Sequence, residues 1–176
     1  MRILISTTIL ILTMSFSNTA QKNTPPLSVG DPIPAFSLKD QDGKDFNVAD
    51  HIGRQVLVIY FYPKDESMVC TKEACAFRDD FDEFVKTGAK IIGINSGSVA
   101  SHKEFETHHK LPFTLLSDPG NKVYNLFGVK KVLFATGRKT FVVDLKGKIV
   151  YTHEAMFAGQ EHADEALKFI RSSLGK

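Results

Sequence analysis

Over residues 55–62 the chain reads QVLVIYFY, a continuous apolar run rich in β-branched and aromatic residues. Such a run suits a strand buried on both faces, and Pro63 ends it. AKIIGINS, starting at Ala89, predicts a second central strand. Between them, across residues 67–86, Val69, Ala74, Phe77, Phe81, Phe84 and Val85 recur at helical spacing with charges interleaved. That pattern predicts one amphipathic helix lying against a sheet. SVASHKEFETHHK predicts a further helix opened by Ser98 at the capping position.

The remaining segments are shorter but punctuated. AFSLKDQDGKDFNV alternates about Asp42-Gly43, a hairpin signal, with strands near residues 36–38 and 45–47. FTLLSD reads as extended, and PGNKVYNLFGV as a brief helix begun by Pro and ended by Gly. KTFVVDLKGKIVYTHE predicts a hairpin turning at Lys146-Gly147, and residues 161–174 a closing amphipathic helix. Strands alternating with helices, then a hairpin and a helix, predict an α/β domain of three layers, a mixed central sheet flanked by helices.

Composition bounds this picture without changing it. A chain of 176 residues, 43% hydrophobic, holds one well-buried core and is short for two domains. Its 22 basic and 20 acidic residues are scattered, leaving a net charge of +2 and no basic stripe of the kind that follows a nucleic acid backbone. The N-terminus differs from the rest. After Arg2, residues 3–16 are uncharged and mostly aliphatic, shorter than the roughly 20 residues of a membrane-spanning helix but suited to the core of a secretory signal. Small residues follow at Ser15, Ser17, Thr19 and Ala20. Residues 1–20 are therefore expected to be a secretory signal peptide, with a buried strand or an uncleaved anchor as the alternative, and residues 21–176 the single domain. The mature chain is then expected to be exported, periplasmic or otherwise extracytoplasmic, and free of the membrane. QKNTPPLSVGDPIP leads into the domain as a Pro-punctuated arm.

The chemistry concentrates at the two cysteines, Cys70 and Cys75, where the first apolar run gives way to the helical pattern. Cys70 falls in the first helical turn, where unpaired backbone N–H groups and the positive end of the helix dipole favour an anion such as a thiolate. Ideal helix geometry sets positions five apart at ~8.6 Å between Cα atoms, beyond the ~7 Å that a disulfide spans. The sulfurs can join only if the first turns of the helix unwind. A reactive thiol and a resolving thiol that meet after chemistry suit this spacing better than a structural bridge, although a bridge is the commoner use of two cysteines in an exported protein. Zinc held by Cys70, Cys75 and the pair His108-His109 is a weaker reading, because neither Cys-x-x-Cys nor His-x-x-x-His spacing is present.

FYPKD leading into CTKEACAFRD, then SVASHKEF, LPFTLLSDP, VYNLFGV and RKTFVVD, follow one another in an order that resembles the peroxiredoxins, specifically the peroxiredoxin Q group, also called bacterioferritin comigratory protein. The resemblance runs from about Gly30 to the C-terminus. It implies a thioredoxin-like fold and a thiol-dependent peroxidase that reduces hydrogen peroxide and small organic hydroperoxides through a cysteine sulfenic acid, with no cofactor or metal. It also implies a thioredoxin or similar dithiol as reductant, and a monomer. The family's Pro-x-x-x-Thr/Ser-x-x-Cys signature falls on Pro63, Ser67 and Cys70, which makes Cys70 the peroxidatic residue. Cys75 matches the resolving cysteine, Arg138 the active-site arginine, and Glu73 a carboxylate that supports it. Where the group commonly carries Thr-Pro-Gly, this chain has Ser67-Met68-Val69.

On that assignment the Ser67 hydroxyl, the Cys70 backbone N–H and the Arg138 guanidinium are the donors expected to meet charge developing on the departing peroxide oxygen. Each also has a plain structural use: Ser67 as a helix cap, Arg138 as a surface charge, Glu73 as a first-turn acid, and Tyr60 and Tyr62 as core or rim residues. Two other functions stay open at this point. One is a thioredoxin-like thiol-disulfide oxidoreductase without peroxidase activity, which the missing Cys-x-x-Cys argues against. The other is a secreted module with a structural disulfide.

Overall fold

The computed structural model describes residues 25–132 and 136–174. The expected signal peptide, residues 1–20, lies outside the described residues. The hairpin about Asp42-Gly43 forms as β1 (Ser37–Asp40) and β2 (Asp45–Asn47), and a single 3-10 turn follows at Val48–Asp50. The first apolar run is β3 (Val56–Phe61), buried at every position. The helical pattern after it becomes α1 (Met68–Asp79) and α2 (Phe81–Lys86). The continuous helix expected over residues 67–86 is thus broken at Asp80, whose backbone (φ −95°, ψ 7°) caps one helix and opens the next. Apolar periodicity survives the break because Phe77 and Phe84 both point into the same core, so spacing alone does not reveal it.

The chain continues through β4 (Ala89–Asn95), α3 (Val99–His109), β5 (Thr114–Ser117) and the short α4 (Lys122–Leu126). It closes with β6 (Lys139–Val143), β7 (Ile149–His153) and α5 (Gly159–Ser173). Ser98 caps α3 as expected, its side chain accepting from Ser101 N at 3.1 Å. The hairpin between β6 and β7 turns at Gly147, where φ of 75° favours a residue without a Cβ.

The seven strands form one mixed sheet in the order β2-β1-β5-β4-β3-β6-β7. β3, β4 and β5 run parallel, while β1 joins β5 and β6 joins β3 antiparallel. Along β3 the side chains alternate between two cores. Val56, Val58 and Tyr60 face one that contains Ala74 and Phe77 of α1, Phe84 of α2, Phe105 of α3 and Ala163, Ala166, Leu167 and Ile170 of α5. Leu57, Ile59 and Phe61 face the other, covered by Val123 and Tyr124 of α4, Phe127, and Ile33 and Phe36 of the leading arm. The predicted three layers are present, a mixed sheet covered on both faces, and the fold is thioredoxin-like. The second cover layer is thinner than the first, one five-residue helix with loop and arm.

α1 and α5 pack closely enough to leave no room for a side chain at Gly159. A Cβ there would stand 2.5 Å from Val69 O and 3.0 Å from Glu73 Cβ. This contact brings the start of α5 against the first turns of α1, beside the cysteine.

Candidate active site

β3 delivers the chain to the carboxyl end of the parallel strands, the edge at which open α/β sheets place their ligands. Tyr62 and Pro63 follow, and α1 begins at Met68 with Ser67 extended at the N-cap (φ −77°, ψ 143°). Cys70 is therefore the third residue of the helix, 1% exposed. The Ser67 side chain makes no capping bond, and its hydroxyl donates to Lys64 O at 3.2 Å. The cap reading of this hydroxyl is thus not realised, and the first turn keeps its backbone donors for an anion.

Register explains how a residue 68 positions away reaches the sulfur. β6 pairs with β3 so that Lys139 lies opposite Phe61, which sets Arg138 beside the segment leading into α1. Its Nη2 donates to Cys70 Sγ at 3.1 Å, its Nη1 to Glu73 Oε2, and its Nε to Met156 O at 3.2 Å. Arg138 is 5% exposed and Glu73 is fully buried, so neither is the surface charge or first-turn acid that the sequence also allowed. Glu73 sits one turn further along α1 than Cys70 and faces the same way. Burial pushes its carboxyl up to about 8, against the pull of the neighbouring guanidinium. Behind it, His162 of α5 lies with Nδ1 3.5 Å from Glu73 Oε1 and 2.8 Å from Thr140 Oγ1, while Nε2 meets Ala155 O at 3.0 Å. Burial pulls the His162 imidazole down to about 4, so it is neutral near pH 7.

The structure thus brings Cys70, Arg138 and Glu73 into one buried chain of contacts, with His162 and Thr140 behind it. Cys75 stays on the wound α1, partly buried, and both cysteines are free thiols. Pro63 is half-buried, and its carbonyl accepts from Thr136 Oγ1 at 3.4 Å. Tyr60 and Tyr62 are core residues rather than rim: both are buried, and their rings stack at 5.2 Å between centroids. His108 and His109 do not turn to the thiols; their ring nitrogens face Glu66.

Two contributors were missed in the sequence. His162 carried no signal beyond being one polar residue on the inner side of a helix. Asp65 stood in plain view within FYPKD, yet its partners are distant in the chain. Its carboxylate accepts from Tyr62 OH at 2.7 Å, Asn95 Nδ2 at 2.8 Å and Ser101 Oγ at 2.6 Å, and it meets His102 Nδ1 at 2.8 Å. Burial alone would push this carboxyl up, but the bonds from His102, Ser101 and Tyr62 outweigh it and hold it at about 2. The result is a polar rivet that ties the loop ahead of α1 to the ends of β4 and α3.

Comparison with known proteins identifies the family. Residues 29–152 match the AhpC/TSA family. Peroxiredoxin Q from the chloroplast of Oryza sativa subsp. japonica is 49% identical over 148 residues, which cover 83% of this chain and 68% of that protein. The crystal structure of peroxidoxin BcpB from Mycobacterium tuberculosis superposes with a TM-score of 0.78 at 34% identity, covering 82% of this chain and 97% of that one. A Xanthomonas campestris peroxiredoxin Q gives a TM-score of 0.71, also at 34% identity, covering 78% and 90%. With the matched segment spanning most of the domain and the site built as described, the chain belongs to the AhpC/TSA family and, within it, to the peroxiredoxin Q group of thiol-dependent peroxidases.

Proposed function

We propose that the chain reduces hydroperoxides at Cys70, with Cys75 as the resolving thiol and Arg138, Glu73, Ser67 and Pro63 building the pocket. The observation that carries this assignment is the Arg138 guanidinium 3.1 Å from the Cys70 sulfur, at the start of a helix. The Cys70 thiolate attacks the outer peroxide oxygen, the O–O bond breaks, and the departing hydroxide or alkoxide leaves with the electron pair and takes up a proton. Arg138 and the first-turn N–H groups of α1 stabilise the charge that grows on that oxygen. The sulfur becomes a sulfenic acid. Attack by the Cys75 thiolate then forms the disulfide and releases the oxygen as water, which requires the segment between Cys70 and Cys75 to unwind from the helical form described here.

An external dithiol returns both sulfurs to thiols by exchange, and a thioredoxin-like protein is the chemistry that fits. We assign Ser67 to substrate contact through a turn of its hydroxyl away from Lys64 O, Pro63 to shielding the thiolate from water, and Glu73 with His162 to holding the guanidinium in place. The chain is taken to act as a monomer and, on the strength of residues 1–20, outside the cytoplasm. No described helix is long and apolar enough to cross a membrane.

Peroxide consumption by the mature chain with candidate dithiol donors tests this directly. Cys70→Ser is expected to fall to the uncatalysed background. Cys75→Ser is expected to consume one peroxide per chain and then to turn over only with a donor able to attack the sulfenic acid itself. A Cys70→Ser protein as fast as the parent would overturn the assignment.

A further inference from the structure

The loop between β3 and α1 carries a carboxylate that takes no part in the chemistry above. Glu66 sits in the left-handed region at φ 57°, and its carboxylate spans the two adjacent imidazoles at the last turn of α3. Oε1 is 3.1 Å from His108 Nδ1, and Oε2 is 2.9 Å from His109 Nε2. One ligand atom from each of the three residues lies within 4.8 Å of the other two. The two rings lie against each other with centroids 4.4 Å apart, and Phe105 braces His109 edge-on at 5.0 Å. The His109 carbonyl also accepts from Arg78 Nη1 of α1 at 2.9 Å, which fixes the backbone beneath the pair.

We infer that Glu66, His108 and His109 form a binding site for a divalent transition-metal ion of the zinc type, bridging the active-site loop and the end of α3. Two imidazole nitrogens and a carboxylate oxygen are a donor set that zinc accepts, at about 2.0–2.2 Å each, with a fourth position left to water. Donors at those distances around a tetrahedral ion stand about 3.3–3.6 Å apart, so only small side-chain rotations separate the hydrogen-bonded cluster from a coordinating one. Glu66 and His108 are exposed and free to make them, while the half-buried His109 provides the fixed point. A simple ion pair would also explain a carboxylate beside one imidazole. The convergence of two neighbouring imidazoles on opposite oxygens of one carboxylate, with one ring held by Phe105, favours coordination.

The test is zinc chloride titration of the full-length mature chain, without an affinity tag, in a Cys70→Ser/Cys75→Ser background that removes competing thiolates. Calorimetry is expected to give one ion per chain, weakened about tenfold or more by Glu66→Gln and by His109→Ala and unchanged by His153→Ala. Co2+ is expected to give a visible absorption band that the same two substitutions remove. Saturation at one ion with affinity unmoved by either substitution, or an absence of binding, would overturn the site. The same substitutions in the cysteine-containing chain are expected to leave metal-free peroxidase activity at the parent level, which verifies folding and keeps this result separate from the peroxidase assignment.

Discussion

At Arg138 two potential anions, the Cys70 thiolate and the Glu73 carboxylate, share one buried guanidinium. Replacing Arg138 with Met removes a donor aimed at the reacting oxygen, and is expected to slow sulfenic acid formation by about 10²–10³-fold in stopped-flow measurements. It also leaves the buried Glu73 carboxyl, already mostly protonated near neutral pH, without its hydrogen-bond partner in the core, a loss of about 1–3 kcal/mol. The double variant Arg138→Met/Glu73→Gln is expected to recover much of that stability in denaturant titrations and none of the rate. Glu73 makes a prediction of its own. With its carboxyl pushed up to about 8, it is mostly protonated at neutral pH, leaving the guanidinium to the sulfur. As pH rises through 8 the carboxylate forms and competes, so the rate of peroxide attack is expected to decline on the alkaline side. Glu73→Gln holds a neutral side chain at every pH and is expected to lack that decline.

On the proposed assignment, reactivity and resolution both depend on the first turn of α1. Met68 occupies its first helical position, 75% exposed, and Ser67 before it is extended at φ −77° and ψ 143°. Both conditions that a proline demands are met there: an N–H that the helix does not use, and a preceding residue outside the α region. Met68→Pro is therefore expected to stabilise the reduced protein by about 0.4–1 kcal/mol, read as a raised denaturation midpoint, by narrowing the unfolded ensemble. A fall in the midpoint would mean that this turn is held differently. The break at Asp80 belongs to the same scale. It seats α2 against β4 while α1 keeps its contact with α5, so the cysteine-bearing helix ends at Asp79 although the apolar pattern runs on to Val85.

Across the whole molecule, three buried titrations shape stability against pH. Asp65 releases its proton at about 2 when folded and near 3.8 when unfolded, so its contribution is complete above 3.8 and lost as pH falls through 2. That amounts to about 2 kcal/mol. His162, lowered from 6.5 to about 4, costs stability as pH falls through this window, because the unfolded chain takes up the proton first. Glu73, raised from 4.5 to about 8, has the opposite slope, costing stability as pH rises between those values. The last two oppose each other between 4.5 and 6.5, so thermal midpoints are expected to vary little there and to drop below pH 4. Asp65→Asn is expected to flatten that acid drop while lowering stability at pH 7, since an amide cannot serve four donors as the carboxylate does.

Local pattern carried far in this protein. β3 announced itself because a strand covered on both faces must be apolar at successive positions, and the 3.6-residue period placed Cys70 in the first turn of a helix without any knowledge of its surroundings. The CTKEAC and RKTFVVD motifs located Glu73 and Arg138 by resemblance. Tertiary structure alone decided that Arg138 meets the sulfur, because the antiparallel register of β6 on β3 turns 68 residues of sequence into one hydrogen bond. It also decided that Asp65 joins β4 and α3, that His162 stands behind Glu73, and that the paired histidines answer to Glu66. Hydrophobic periodicity records which side of an element is buried, a property of neighbouring residues. Which polar group meets which is fixed only when the sheet order and the helix contacts bring distant segments together.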